Sequence, residues 1–229
     1  MTTPTKLALG LLVLLSTATS AAGQRGAVKG TVSYRGPAPT PEQLKVTTDA
    51  DVCGATVPSR HLLVRNSRVA NSVVFLEGPI PVATRSSAVT LANVRCDFDP
   101  PVQVAEAGAV LTLRNLDPLM HNVHLYHTRR TVGNFGLPGR GVEVKNRRAL
   151  ARPGLIEVEC DAHEWMRAAI WVFDHPYYAL TAPDGVFEIR DVPPGRYVLH
   201  SWHAQLGELR REIVIQDGQI ASLDFVFGS

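Results

Sequence analysis

The sequence predicts an all-β protein. Short runs rich in β-branched and apolar residues recur along the chain, among them Gly30–Tyr34, Asn71–Leu76, Val110–Arg114 and Val186–Arg190, each bounded by Gly, Pro, Asn or Asp. No stretch carries a long 3.6-residue periodicity, and no strand–helix–strand rhythm appears. Many short strands with turn signals between them point to packed sandwiches rather than to a parallel sheet flanked by helices. One short helix or irregular turn is expected near Thr40 to Leu44.

Taken from the N-terminus, residues 1–23 read as a signal peptide. Lys6 precedes the apolar run Leu7 to Leu15, and small residues through Ser20-Ala21-Ala22 follow, the layout a signal peptidase reads. An uncleaved N-terminal anchor is the alternative, although no stop-transfer flank follows. Export predicts a periplasmic or secreted protein with no integral membrane segment after cleavage. Lys and Arg number 23 against 21 for Asp and Glu, a net charge of +2 that gives no reason to expect nucleic acid as a partner.

The exported chain keeps Cys53, Cys96 and Cys160. Spare thiols pair in an oxidising compartment, and an odd count leaves one over. The surroundings of Cys160 give a reason for that thiol to stay free, which assigns Cys53 and Cys96 to a disulfide; two unbonded buried thiols are the other reading.

From Ala179 onward the chain has the character of a separate β module. Asp184-Gly185 signals a tight turn, Val186–Arg190 a strand, and Pro193-Pro-Gly-Arg-Tyr197 leads into another strand. The stretch TAPDGVFEIRDVPPGRYVLHSWH resembles the carboxypeptidase-regulatory-like domains of transthyretin type. Gly26–Tyr34 resembles the first strand of the same module, and Asn71–Leu76 the strand that precedes its Asp-Gly turn. The resemblance implies a split module, residues 24–79 and 177–229, with residues 80–176 inserted as a second domain. The competing organisation is an N-terminal extension folded onto the middle domain, followed by an independent C-terminal module.

The chemistry lies in the middle segment. Gly154–Cys160 alternates, so Ile156, Val158 and Cys160 share one face and Cys160 points inward at a strand end. The loop Cys160-Asp-Ala-His-Glu-Trp-Met166 then brings a thiol, an imidazole and a thioether together before the apolar strand Arg167–Phe173. Thiolate and thioether suit Cu(I), imidazole suits both oxidation states, and zinc rarely recruits methionine. A second imidazole is available in Asn115-Leu-Asp-Pro-Leu-Met-His121, at the end of a strand and turn.

These elements together resemble the cupredoxins, the plastocyanin and amicyanin branch in particular. The resemblance rests on Phe98-Asp-Pro-Pro-Val-Gln-Val before Gly108, on Asn115-x-Asp with His121-Asn122-Val123, and on Cys160-x-x-His163-x-x-Met166, whose short loop is similar to that of amicyanin. It implies a Greek-key β-sandwich holding one type-1 copper through His121, Cys160, His163 and Met166, beside a smaller transthyretin/Ig-like sandwich. Met120, next to His121, is a second candidate for the axial thioether. Asn122 is implied to hydrogen-bond near the cysteine loop, and Trp165 to pack over the site. His163 is implied to reach the surface as an electron port, where a redox protein such as a c-type cytochrome or a dehydrogenase would dock.

No His-x-His pair supplies the further coppers of oxidases and nitrite reductases, and only one cysteine lies in the ligand loop, so one mononuclear site is what these residues allow. Such a site predicts one-electron carriage rather than an enzyme. Copper delivery without fast redox cycling, and a cell-envelope scaffold with a secondary copper site, are the rival functions. His124 and His127 read as exposed polar residues, with a supporting, docking or extra metal role as the alternatives. His203 is read in the same way, as are His61, His175 and His200, for which the sequence offers no partner.

Overall fold

The computed structural model describes residues 24–84 and 87–228. The predicted signal peptide lies outside the described residues. The described residues are nearly all β, as the punctuation requires, and their strands build two sandwiches.

In the middle of the chain a five-stranded sheet runs in the order Arg130–Leu137, His121–His127, Gly154–Glu159, Arg167–Phe173, Val102–Glu106. It faces a four-stranded sheet in the order Glu143–Asn146, Val110–Asn115, Ala88–Val94, Asp97–Asp99. Alternation along these strands turns Phe98, Leu111, Leu113, Val123, Leu125, Ile156, Val158 and Ile170 into one buried core. Burying side chains of this size stabilises the fold by roughly 1.5–3 kcal/mol each before entropy is counted.

The second sandwich is built from both ends of the chain. Gly26–Tyr34 lies at its centre, antiparallel to Val186–Val192 and parallel to Ile220–Ser222 and Phe225–Phe227. The facing sheet runs Tyr178–Leu180, Val73–Glu77, Gly195–His203, Gly207–Ile215. Among the described residues, strands before Glu77 pair only with one another or with strands after Tyr178. Gly30 permits this closeness, since a methyl group there would sit 1.8 Å from the Leu223 carbonyl oxygen. The predicted Asp184-Gly185 turn forms, with Gly185 at φ +69° and the Val186 N–H donating to Asp184 Oδ1 at 3.0 Å.

Aromatic side chains join the two sandwiches. The Phe75 ring meets Trp171 at 5.0 Å and Phe173 at 5.2 Å on one side, and stacks on His200 at 4.6 Å. His200 is thus not without partners: its ring nitrogens face Glu77 at 2.8 Å and Glu208 at 2.5 Å.

Residues 43–58 depart from the sequence expectation. The segment near Thr40 to Leu44 contains no helix; Gln43–Lys45 is a strand paired with Thr56–Pro58, and a four-residue helix, Ala50–Cys53, lies between them. Although it follows the first strand of the end sandwich, this unit packs on the middle one, where Val46 and Val57 enter the core. Two ties hold it there. Cys53 is disulfide-bonded to Cys96, and Arg60 grips Asp97 at 2.9 Å and Asp99 at 2.8 Å.

The disulfide closes a loop across a sequence separation of 43 residues, which in the chain-entropy account stabilises the fold by roughly 2–4 kcal/mol. Replacing Cys53 and Cys96 together by serine is expected to lower the denaturation midpoint accordingly; an unchanged midpoint in urea unfolding would refute the tie.

His203 generates a second expectation. Burial lowers its pKa from 6.5 to about 4, against the pull of the Ala70 carbonyl. The unfolded chain therefore takes up a proton below pH 6.5 that the folded chain refuses until about pH 4. Stability should fall across that window by up to roughly 3 kcal/mol. In pH-dependent unfolding, His203→Gln should flatten this part of the profile; a slope identical to the parent's would show that the loss comes from other groups.

Candidate metal centre

Cys160 follows the last residue of the Gly154–Glu159 strand, as the alternation dictates, and is buried. The next residues fold back on themselves: the His163 N–H donates to the Cys160 carbonyl, the Met166 N–H to the His163 carbonyl at 2.9 Å, and the Cys160 N–H to the Met166 carbonyl. The loop is therefore closed before the Arg167–Phe173 strand begins. His121 opens its strand at the same end of the sandwich.

Three donor atoms converge there. His121 Nδ1 lies 3.0 Å from His163 Nδ1, and Cys160 Sγ lies 3.4 Å from His163 Nδ1. All three side chains are buried, and among the described residues this is the one group of His, Cys or acidic side chains assembled so as to hold a metal ion. The distal nitrogens are also occupied, His121 Nε2 by Asp117 Oδ2 and His163 Nε2 by Asp49 Oδ2, each at 3.0 Å. A ring whose Nε2 donates to a carboxylate presents a bare lone pair at Nδ1. Two such lone pairs 3.0 Å apart need a positive centre, a proton or a metal ion, to share. Burial pushes His121 below its ordinary pKa despite the Asp117 hydrogen bond, which favours the neutral, ligating ring.

The remaining predicted residues separate clearly. Met166 is fully buried in the core cluster that also contains Cys160 and Trp165, whereas Met120 is 55% exposed. Asn122 Oδ1 accepts the N–H of Asp161 at 2.8 Å and the Cys160 thiol at 3.3 Å, so it holds the loop from the neighbouring strand. Trp165 meets the His163 ring edge-on at 5.0 Å and donates its Nε1–H to the Cys96 carbonyl at 2.9 Å.

His163 overturns one expectation. It does not reach the surface but is 0% exposed, because residues 48 and 49 cover it: Thr48 Oγ1 donates to the Ala162 carbonyl at 3.1 Å beside the Asp49 contact. The 43–58 unit, held by its disulfide, occupies the side of the loop where a port would open. His124 is likewise more engaged than an exposed polar residue. It hydrogen-bonds Asp161 Oδ1 at 2.9 Å and Thr131 Oγ1 at 2.8 Å and stacks on Tyr126. Burial would raise the Asp161 carboxyl, but hydrogen bonds from His124, Asn134 and Asn122 outweigh it and hold the group below the usual carboxylate range. His127 stays outside this cluster, packed against Gly154.

Three carboxylates thus escaped the sequence reading. Asp117 had a signal, four residues before His121 in an Asn-x-Asp turn; it also accepts the N–H groups of Arg95 at 2.7 Å and Cys96 at 2.9 Å. Asp161 adjoins the cysteine. Asp49 had none, being 114 residues from its partner.

No family model matches the chain, and no curated protein matches it. Solved structures similar to it include the copper-containing nitrite reductase from Thermus scotoductus SA-01, 19% identical with a TM-score of 0.32, covering 49% of this chain and 25% of that one. The purple cupredoxin from Nitrosopumilus maritimus is 16% identical with a TM-score of 0.32, over 38% of this chain and 100% of the other. A Cu(I) variant of amicyanin is 19% identical with a TM-score of 0.28, over 44% and 98%. Likenesses this distant carry no chemistry to this chain, and the chain spans about a quarter of the reductase's length.

Asn122 gives this geometry a test. Asn122→Ala leaves the Asp161 N–H and the Cys160 thiol without their acceptor and should cost roughly 1–3 kcal/mol. Hydrogen exchange at the Asp161 amide should quicken in step; protection equal to the parent's would mean that the asparagine does not hold the loop.

Proposed function

We propose that this chain is an exported mononuclear type-1 copper protein that carries single electrons between redox partners. The observation that carries the reading is the convergence of one thiol sulfur and two imidazole nitrogens in a buried site whose distal nitrogens are already held by carboxylates. Copper, when bound, would supply a one-electron Cu(I)/Cu(II) couple.

Cys160 would provide the soft thiolate, and His121 and His163 the two imidazoles. Met166 is the axial candidate, since its side chain is buried with Cys160 while Met120 faces solvent. The closed loop and the two carboxylates would hold the ligands in place, which would limit rearrangement between oxidation states. Burial of every ligand keeps water and substrate out, and this supports carriage over catalysis. Residues 24–79 and 177–229 are proposed as a carboxypeptidase-regulatory-like host and residues 80–176 as the cupredoxin insert. The segregated strand pairing favours that division, with residues 43–58 serving the insert. The Cys53–Cys96 disulfide supports an oxidising, periplasmic or extracellular setting. The partner is proposed to be a redox protein such as a c-type cytochrome or a dehydrogenase, met in a small, transient interface.

Adding Cu(II) to the purified mature protein should produce an intense visible thiolate-to-copper band that is lost in Cys160→Ser and bleaches reversibly on reduction. Met166→Leu should change the reduction potential, and Met120→Leu should leave it in place. Absence of the band, or its survival without Cys160, would sink the reading; a band without reversible electrochemistry would point to copper delivery instead.

A further inference from the structure

The segment that covers His163 comes from outside both sheets of the middle sandwich, and it does more than exclude water. Its closest approach is a carboxylate: Asp49 Oδ2 stands 3.0 Å from His163 Nε2. The Asp49 side chain is itself 51% exposed, so the line from Cys160 through His163 ends at solvent on a carboxylate rather than on a ring edge. Asp49 has φ 54°, in the left-handed region that Asp and Asn tolerate better than most residues. That conformation opens the helix Ala50–Cys53, whose last residue forms the disulfide to Cys96. The Cys96 carbonyl in turn accepts the Trp165 Nε1–H, and Trp165 meets the His163 ring edge-on at 5.0 Å. The imidazole is therefore contacted by two groups, Asp49 and Trp165, that both trace to one disulfide.

We propose that Asp49 is a positioning residue for the metal centre, holding the His163 ring in the tautomer that leaves Nδ1 free to ligate, and that the disulfide-anchored cap carrying it turns the His163 side of the site from an open port into a closed, negatively charged one. This rests on the copper reading for its electrochemical part. A carboxylate accepting from Nε2 makes the imidazole a better donor and places negative charge near the centre, so it stabilises the more highly charged Cu(II) form over Cu(I). The reduction potential is thereby lowered. Asp117 does the same for His121 from within the sandwich, but Asp49 alone reaches the site from the cap, and its removal leaves the strands that carry the ligands untouched.

Asp49→Asn is the informative variant, because asparagine keeps the size and the left-handed backbone but loses the charge. Copper affinity is expected to fall by roughly 10- to 100-fold, and the potential to rise, while Asp49→Glu recovers part of both. In the metal-free protein the His163 Nε2 proton should show the strongly downfield NMR signal of a carboxylate hydrogen bond and should move upfield in Asp49→Asn. Alkylation of Cys160 reports cap opening: it should be slow in the parent and in Asp49→Asn, and fast once Cys53 and Cys96 are both serine. Unchanged affinity and potential in Asp49→Asn would overturn the positioning role, and so would a faster alkylation with no shift in potential, which is what a mere lid would give. If the parent protein forms no thiolate–copper band, the copper reading fails; the His163 signal then still decides whether Asp49 holds the ring, and its absence from the parent would overturn that as well.

Discussion

Much of the candidate metal centre hangs on Cys96. Its sulfur is bonded to Cys53, which fastens the cap; its N–H donates to Asp117, which holds His121; its carbonyl accepts from Trp165, which abuts His163. Arg95 and Cys96 sit at φ 53° and 56° in the tight turn between Ala88–Val94 and Asp97–Asp99, so all three polar directions leave one short, bent piece of backbone. A covalent bond is the fitting anchor here. The cap contributes only a few buried apolar side chains, Val46 and Val57 chief among them, and a unit of that size has too little core to stay docked against its own conformational entropy.

The site that results draws on four separate stretches of chain: the cap, the Asn115–His121 turn, the Cys160–Met166 loop and the Arg95–Cys96 turn. None of them is long, and hydrogen bonds within and between them hold them, as when Asn115 Nδ2 donates to the carbonyls of Leu119 and Leu137 at 2.8 Å and Asp117 accepts from Arg95 and Cys96. These pieces, tied to one another by hydrogen bonds and one disulfide, bring the three donor atoms together. For the proposed one-electron couple this would be the useful property, since ligands held from several sides would leave little to reorganise.

The strand pattern and the Cys160 loop were legible in the sequence because both depend on local rules. Alternation from Gly154 turns Cys160 inward whatever surrounds it, and Asp184-Gly185 bends the chain by its own backbone preference. His121 was legible as a histidine at a strand end. Asp49 was not, because its role comes from a docking event 114 residues away along the chain, and nothing near it in sequence reports what it will touch. The same applies to the exposure of His163, which depends on a cap that the plain four-ligand pattern does not contain. Met120 and Met166 could not be told apart by residue type; the two-residue periodicity of the flanking strands does not extend into the turns that orient them.

If the chain carries electrons as proposed, a closed site changes how it would meet its partner. Where an imidazole edge lies at the surface, the partner needs only an apolar contact around it; here the outermost group on that path is the Asp49 carboxylate, half exposed and held in place by the cap. A redox partner of the proposed carrier that approached from this side would meet that carboxylate first, and attraction within the Debye length of about 10 Å would favour a positive group on it. Burial and recognition are then two effects of one segment. The unit that seals His163 also places the Asp49 carboxylate over it, and both depend on the Cys53–Cys96 disulfide staying oxidised.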